Sequence, residues 1–141
     1  MNNIQQIMSK NVVCVSANQT VQDAAQLMNQ HNIGSIPVVE NGQIKGIVTD
    51  RDITTRTTAQ GMDGNTPVSQ VMSSNIVTGD PNMSLQEAAQ LMSQNQIRRL
   101  PVVENNQLVG MVALGDLATN QQSNESAGDA LTNISENNRT S

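Results

Sequence analysis

The sequence predicts a mixed α/β (α+β) fold made of two βαββα repeats in one compact domain. Three observations predict it: an internal repeat without gaps, a helix-start signal in each copy, and two β-branched runs after each helix. At 141 residues the chain is long enough for one domain with a real core and too short for two ordinary independent domains.

The repeat appears when the chain is shifted by 64 positions against itself. AlaAlaGlnLeuMet at 24–28 returns at 88–92, and ProValValGluAsn at 37–41 returns at 101–105. Units of this kind bury their apolar faces against each other. The organisation that we predict is repeat 1 at 1–60, a linker at 61–65, repeat 2 at 66–120, and a C-terminal helix with a polar tail at 121–141.

Each repeat opens with a short apolar strand, at 12–15 and at 76–78, and then starts a helix. Thr20 and Ser84 are followed three residues later by an acid, which is the capping-box signature of a helix N-terminus. Apolar residues then recur at the i, i+3, i+4, i+7 spacing of a helix with one buried face. That stripe comprises Val21, Ala24, Ala25 and Met28 in repeat 1, and Leu85, Ala88, Ala89 and Met92 in repeat 2.

Two β-branched runs follow each helix and predict a hairpin. Asn41 and Gly42 separate the first pair of runs and tolerate the positive φ angles of a tight turn, and Asn105 and Asn106 take their place in repeat 2. A further helix is predicted near Asp52 and its counterpart. Strand, helix and strand form a crossover that we expect to be right-handed.

Composition excludes several classes of function. Seven basic against 12 acidic residues give a net charge of −5, so general attraction to nucleic acid or to an anionic membrane is not expected. No apolar run is long enough to cross a bilayer, and 1–10 lacks the pattern of a signal peptide, which predicts a cytoplasmic protein. The core must be aliphatic, because there is no Phe, Tyr or Trp.

Cys14 and His31 have reactive side chains, but the sequence around each favours a structural role. Cys14, the only cysteine, lies in an apolar run and is interpreted as a small core residue. His31, the only histidine, has no acidic or cysteine partner at metal-ligand spacing and is assigned to the surface or a helix end. No nucleophile motif, phosphate loop or metal constellation is present, so we predict no enzyme activity, no metal site and no required cofactor.

The ordered motifs of both copies resemble a family. IlePro or LeuPro followed by ValVal, and then GlyIleValThrAspArgAsp or GlyMetValAlaLeuGlyAsp, are similar to a tandem cystathionine-β-synthase (CBS) domain pair of the stand-alone type. The resemblance covers about 4–118. It implies two repeats packed as a pseudo-two-fold pair, two clefts that bind adenosine compounds such as AMP, ADP or ATP, and a homodimer formed through the helices.

The resemblance also implies which residues bind the ligand in a primary cleft. Asp52 would accept the ribose hydroxyls, the Thr49 hydroxyl would bind ribose or phosphate, and adjacent arginines would supply forked donors to phosphate. The primary set is Thr49, Asp52, Ile76, Val77, Arg98, Arg99 and Pro101. From local sequence alone, Asp52 caps the following helix and the arginines sit favourably near a helix C-terminus. Asp50 and Arg51 occupy variable positions and are read as solvated.

The second cleft departs from the family pattern. Ala113 replaces the hydroxyl, and Gly34 and Ser35 replace the arginine pair. We expect weak binding or none there. The secondary set is Val12, Val13, Ser35, Pro37 and Asp116.

Two functions follow from these residues. The first is a non-catalytic regulatory module that binds an adenine nucleotide as its regulatory ligand and acts on a separate effector protein. The alternative is a ligand-free dimerising scaffold or interaction protein. Ala24, Ala25, Ala88 and Ala89 are small enough for close helix approach and are the predicted dimer face.

Overall fold

The computed structural model describes residues 3–119, and these divide into two compact units. The first-repeat unit comprises 13–76 with 106–108, and the second-repeat unit comprises 3–12, 77–105 and 109–119. The spatial units therefore differ from the repeats along the chain, because the segment before each repeat's first strand belongs to the other unit. The predicted C-terminal helix and polar tail at 121–141 lie outside the described residues.

The first-repeat unit contains a helix, a two-stranded antiparallel sheet and a second helix. The elements are α1 (Val21–His31), β1 (Ser35–Glu40), β2 (Gln43–Thr49) and α2 (Asp50–Arg56), followed by single 3-10 turns at Thr58–Gln60 and Val68–Gln70. The second-repeat unit repeats the order with α3 (Leu85–Asn95), β3 (Arg99–Glu104), β4 (Gln107–Ala113) and α4 (Leu114–Thr119), and has its 3-10 turn at Ile4–Gln6. The mixed α/β (α+β) class predicted from the sequence is confirmed.

Both helix starts form as predicted. The Thr20 hydroxyl accepts the N–H of Asp23 at 3.1 Å, and a carboxylate oxygen of Asp23 accepts the N–H of Thr20 at 3.1 Å. Ser84 and Glu87 make the same reciprocal pair at 3.0 and 3.1 Å. Each box satisfies two donors that a helix end would otherwise leave without partners.

Positive φ angles allow both hairpin turns. Asn41 and Gly42 have φ of 53° and 81°, and Asn105 and Asn106 have φ of 52° and 65°. Two successive positive φ angles match the right-handed twist of the flanking strands, and Asn and Gly adopt them most easily. The predicted hairpins are confirmed.

The predicted first strands are reduced to single parallel bridges, Val15 with Val38 and Gly79 with Val102. Val15 donates to the carbonyl of Pro37 at 3.1 Å and accepts from Val39 at 2.8 Å. The next parallel bond toward the N-terminus would need an N–H on Pro37, and proline has none. Pro101 interrupts the second copy in the same way, so neither strand extends back along its hairpin.

Each unit has its own aliphatic core. In the first-repeat unit it is built from Val15, Val21, Ala24, Met28, Ile36, Val38, Val48, Val68 and Val71. In the second-repeat unit it is built from Ile4, Leu85, Ala88, Ala89, Met92, Leu100, Val102, Val112, Leu114 and Leu117. Ile4 and Val68 occupy equivalent places, because each segment that precedes a repeat's first strand packs on the unit of the other repeat.

Gly46 in β2 and Gly110 in β4 let a neighbouring segment pair closely with the second strand of each hairpin. Ile47 exchanges backbone hydrogen bonds with Ser73 at 2.9 and 2.8 Å, and Met111 exchanges them with Ser9 at 2.9 and 2.8 Å. A Cβ on Gly46 would lie 2.7 Å from the Ser73 carbonyl oxygen, closer than real Cβ atoms come. Gly46 is therefore required by backbone pairing, independently of any ligand.

The interpretation of Cys14 as a core residue is wrong, because its side chain is exposed. The apolar run that suggested burial pairs with its neighbour only at Val15, which is buried. The preceding residues lack the regular alternation of a continuous strand, so their burial does not follow from the run. His31 lies exposed at the end of α1, as predicted.

The alanine face proposed for dimerisation is also wrong in its detail. Ala24, Ala88 and Ala89 are fully buried in the cores of their own units, and of the four only Ala25 is exposed. A buried residue already has its packing partners and cannot present itself to a second copy. A dimer face on these two helices must use exposed positions, of which Ala25 is one.

Candidate functional site

Thr49 and Asp52 form the tightest part of the predicted primary set. Thr49 ends β2 and is the N-cap of α2, and its hydroxyl accepts the N–H of Asp52 at 3.0 Å. A carboxylate oxygen of Asp52 accepts the N–H of Thr49 at 3.0 Å in return. The capping role that local sequence indicated for Asp52 is thus present. It uses one oxygen of a carboxylate that has about four acceptor positions.

Arg56 lies beside the other oxygen of Asp52 as an ion pair and is not among the residues predicted from the sequence. Its Nε lies 3.9 Å from Asp52 Oδ1, and the Asp52 side chain is 17% exposed. Arg56 Nη1 also donates to the carbonyl of Val71 at 3.0 Å. The sequence feature that could have identified Arg56 is the i, i+4 spacing of an acid and a base on a short helix. The result is a carboxylate fixed in position but still open to solvent.

The remaining predicted residues of the first-repeat unit lie on its hairpin and at its two segment ends. Pro37 is buried in β1, Ser35 begins β1 and is half-buried, and Val13 and Ile76 are half-buried. Pro37 keeps only its carbonyl in the backbone pairing, where it accepts from Val15.

In the second-repeat unit, the structure brings Arg99 and Asp116 together. Burial lowers the pKa of Arg99 below its ordinary value, and the negative charge of Asp116 opposes that shift. The guanidinium stays protonated at neutral pH, because arginine has so high an ordinary pKa. The family resemblance assigns these two residues to different clefts, yet the fold brings their charges together in one unit.

The other predicted residues of this unit surround β3. Arg98 is exposed, Arg99 is half-buried, and Pro101 is buried and accepts the N–H of Gly79 at 2.8 Å. Val12 and Val77 are half-buried. Asp116 accepts the N–H of Ala113 at 2.8 Å, which is half of the box that Thr49 and Asp52 complete in the other repeat.

Pro101 also affects the carbonyl of Val77. A parallel ladder would bring a donor from position 101 to that carbonyl, and a proline cannot supply it. The same relationship holds between Pro37 and Val13. Each unit therefore has a backbone acceptor that its own hairpin cannot bond, at a residue that the family resemblance assigns to a ligand-binding set.

Other kinds of site find no support among the residues that the structure describes. No group of three or more His, Cys, Asp or Glu side chains there is placed to hold a metal ion. Within 3–119, none of the helices combines the length and apolar character needed to span a membrane.

Comparison with known proteins decides the family. The model of the CBS domain matches this chain twice, at residues 4–57 and 68–123. The chain belongs to the CBS domain family. A CBS domain-containing protein, YhcV of Bacillus subtilis, is 65% identical over 138 residues, which are 98% of this chain and 99% of that protein. Stand-alone CBS domain proteins are generally regulatory and non-catalytic.

Two solved CBS structures resemble the fold. The crystal structure of Hypoxic Response Protein I with two coordinated zinc ions has a TM-score of 0.77 at 36% identity, over 84% of this chain and 98% of that one. The protein of that name from Mycobacterium tuberculosis is 37% identical over 120 residues, covering 84% of each protein. The CBS domain pair of protein MJ0100, in complex with 5′-methylthioadenosine and S-adenosyl-L-methionine, has a TM-score of 0.74 at 26% identity, over 87% of this chain and 98% of that one.

Proposed function

We propose that this CBS protein is a non-catalytic regulatory module whose ligand is an adenine nucleotide or a related adenosyl compound. The observation that carries the proposal is the carboxylate of Asp52, held by its hydrogen bond from Thr49, with Arg56 beside it, and yet 17% exposed. A positioned carboxylate with remaining acceptor capacity suits the vicinal hydroxyls of a ribose. The complex of MJ0100 with two adenosyl compounds supports the ligand class.

Other residues of the primary set would suit the phosphate, the ribose and the base of the ligand. Arg98 and Arg99 would donate to phosphate, and the hydroxyl of Thr49 would bind ribose or phosphate. The aliphatic side chains of Ile76 and Val77 with Pro101 would contact the base, and the carbonyl of Val77 would accept from its amino group. Val12, Val13, Ser35, Pro37 and Asp116 form the weaker second set that we propose.

A ligand titration tests the proposal. ATP, ADP and AMP should raise the melting temperature, and GTP and CTP should raise it less. A ligand at about 100 times its dissociation constant adds about 2.7 kcal/mol, a shift of roughly 5–10 °C for a protein of this size. The chain has no Trp or Tyr, so a strong near-ultraviolet spectrum of the purified protein would itself reveal a retained base.

The alternative function is decided by the same measurement. If no adenosine compound changes the melting temperature at millimolar concentration, the protein is better described as a ligand-free dimerising scaffold. Action through a separate effector protein, a homodimeric state and a cytoplasmic location all belong to the proposal and need their own tests. The net charge of −5 continues to disfavour nucleic acid as a partner.

A further inference from the structure

The turn that precedes each buried proline is held in the same way in both units. Asp50 donates its N–H to the carbonyl of Gly34 at 3.0 Å, and Leu114 donates its N–H to the carbonyl of Arg98 at 2.8 Å. We call residues 34–35 the glycine corner and residues 98–99 the arginine corner. In each unit the first residue of the helix after the hairpin closes the corner.

The residue that closes the corner is charged in one unit, Asp50, and apolar in the other, Leu114. A Cβ on Gly34 would lie only 3.2 Å from Asp50 Oδ2, so this carboxylate lies directly against the place where a side chain at the glycine corner would begin. Asp50 Oδ1 accepts the N–H of Arg51 at 2.8 Å, which holds the carboxylate in that position. Leu114, at the equivalent position, packs into an apolar core.

The two corners therefore present opposite charges to a bound molecule. The arginine corner carries two guanidinium groups and is closed by an apolar residue, with Asp116 facing Arg99 from α4. The glycine corner has no cation of its own and is closed by a carboxylate. The repeat alone shows that arginines are missing from the glycine corner, but it does not show that an acid lies against it.

We propose that Asp50 is a specificity-determining residue that keeps phosphate groups away from the glycine corner. That corner then accepts an adenosine compound whose 5′ substituent is neutral or positively charged. The inference rests on the proposed function, because it concerns which adenosine compound each corner takes. Two like charges about 4 Å apart weaken binding about fivefold even with the screening of bulk water.

The test is a calorimetric titration of the full chain at about 0.1 M salt, with Asp50→Asn as the main variant. Asparagine keeps an oxygen that can accept the N–H of Arg51 and removes only the charge. In Asp50→Asn, the weaker of two ATP-binding steps should tighten about fivefold, or a second step should become measurable. Adenosine should bind as it does to the wild-type chain, and 5′-amino-5′-deoxyadenosine, which is cationic, should bind about fivefold more weakly.

Asp63→Asn is the matched control in the same unit. Asp63 Oδ1 also accepts a nearby backbone N–H, that of Asn65 at 2.9 Å. The neighbouring Gly64 accepts from Gln22 at the start of α1, whereas the glycine corner follows the end of α1. An 11-residue helix is about 16 Å long, which exceeds the screening length of about 10 Å at 0.1 M salt. The charge of Asp63 should therefore have little effect on a ligand at the glycine corner.

The outcomes separate this inference from the proposed function. If Asp50→Asn changes ATP and cationic-probe binding no more than Asp63→Asn does, Asp50 does not select the ligand, even though adenosine binding stands. If neither the wild-type chain nor any variant binds ATP, adenosine or the cationic probe, the proposed function fails and this inference fails with it. Support requires opposite changes for ATP and for the cationic probe, with adenosine unchanged.

Discussion

Thr49 and Asp52 are joined by two hydrogen bonds of 3.0 Å, each from the backbone N–H of one residue to the side-chain oxygen of the other. The second repeat keeps only one of these bonds, from Ala113 to Asp116, because Ala113 has no hydroxyl. The pattern that the family resemblance associates with a ligand is thus also a helix cap. Variants must therefore separate the two roles.

Completing the cap in the second repeat should stabilise the protein. Ala113→Thr supplies a hydroxyl that can accept the N–H of Asp116, and we expect the free energy of unfolding to rise by about 1 kcal/mol. Ala113→Val is the control, since it adds a side chain of similar shape without an acceptor. Urea denaturation of both variants measures the difference. Equal stability of the two would show that the missing hydroxyl is unimportant.

Asp52→Asn and Asp52→Ala should separate capping from ribose binding. Asparagine can still accept the N–H of Thr49, so we expect its stability to stay within about 0.5 kcal/mol of wild type, whereas alanine should lose about 1 kcal/mol. Both variants remove the negative charge and should weaken ATP and adenosine alike. Thermal unfolding and calorimetric titration give the two quantities. Unchanged adenosine binding in both variants would remove Asp52 from the site.

Arg99→Ala should act on the phosphate groups of the ligand. Loss of a charge-assisted hydrogen bond costs about 1.5–3 kcal/mol, or about tenfold or more in affinity for ATP, and adenosine should bind nearly as before. Lys45→Ala removes the same charge from an exposed lysine on β2 and serves as the control. An equal loss for ATP and adenosine would assign Arg99 to a different role.

Asp116→Asn should have the opposite effect on ATP. The carboxylate of Asp116 attracts Arg99, so its negative charge competes with phosphate for the guanidinium. Asparagine can still accept the N–H of Ala113 while removing that charge. We expect ATP to bind several-fold more tightly and adenosine to change little, as calorimetric titration would show. Weaker ATP binding would contradict this competition and would show that the contact of Asp116 with ligand in the second set outweighs its attraction for Arg99.

Gly46→Ala should destabilise the first-repeat unit through its backbone pairing. The new Cβ would meet the Ser73 carbonyl at 2.7 Å, and overpacking of this kind costs about 1–3 kcal/mol. Gly110→Ala should cost less, because the nearest atom, at 2.5 Å, is the sulfur of the flexible Met8 side chain. Gly115→Ala meets nothing within 4 Å and should stabilise α4 by about 0.5–1 kcal/mol. Denaturation that ranks the three differently would contradict this account.

The predicted homodimer can be tested at Ala25, the exposed member of the four alanines. Light scattering at micromolar concentration should show a dimer for the wild-type chain, and Ala25→Glu should shift it toward a monomer if α1 contributes to the contact. The Ala25→Glu monomer should keep nearly the stability of a wild-type monomer, because an exposed helix position tolerates a good helix former. A wild-type monomer would make the dimer prediction wrong.

Local signals were predicted well from the sequence, because they depend on residues close together in the chain. The capping box at Thr20 and Asp23 needs only three residues of separation, and the turn at Asn41 and Gly42 needs only two adjacent φ angles. The repeat then applied each local assignment twice. The family resemblance added the candidate ligand residues, whose binding role stays a prediction.

The sequence by itself determined the repeat, the helix starts, the hairpin turns and the family motif of this protein. Only the tertiary structure decided that Ala89 is buried while Ala25 is exposed, that Cys14 lies outside the core, and that Asp50 stands against Gly34. A helix stripe shows which residues share a face, but the width of the buried part depends on what packs against it. Charges brought together by folding are likewise invisible along the chain, because their separation depends on the path of the backbone between them.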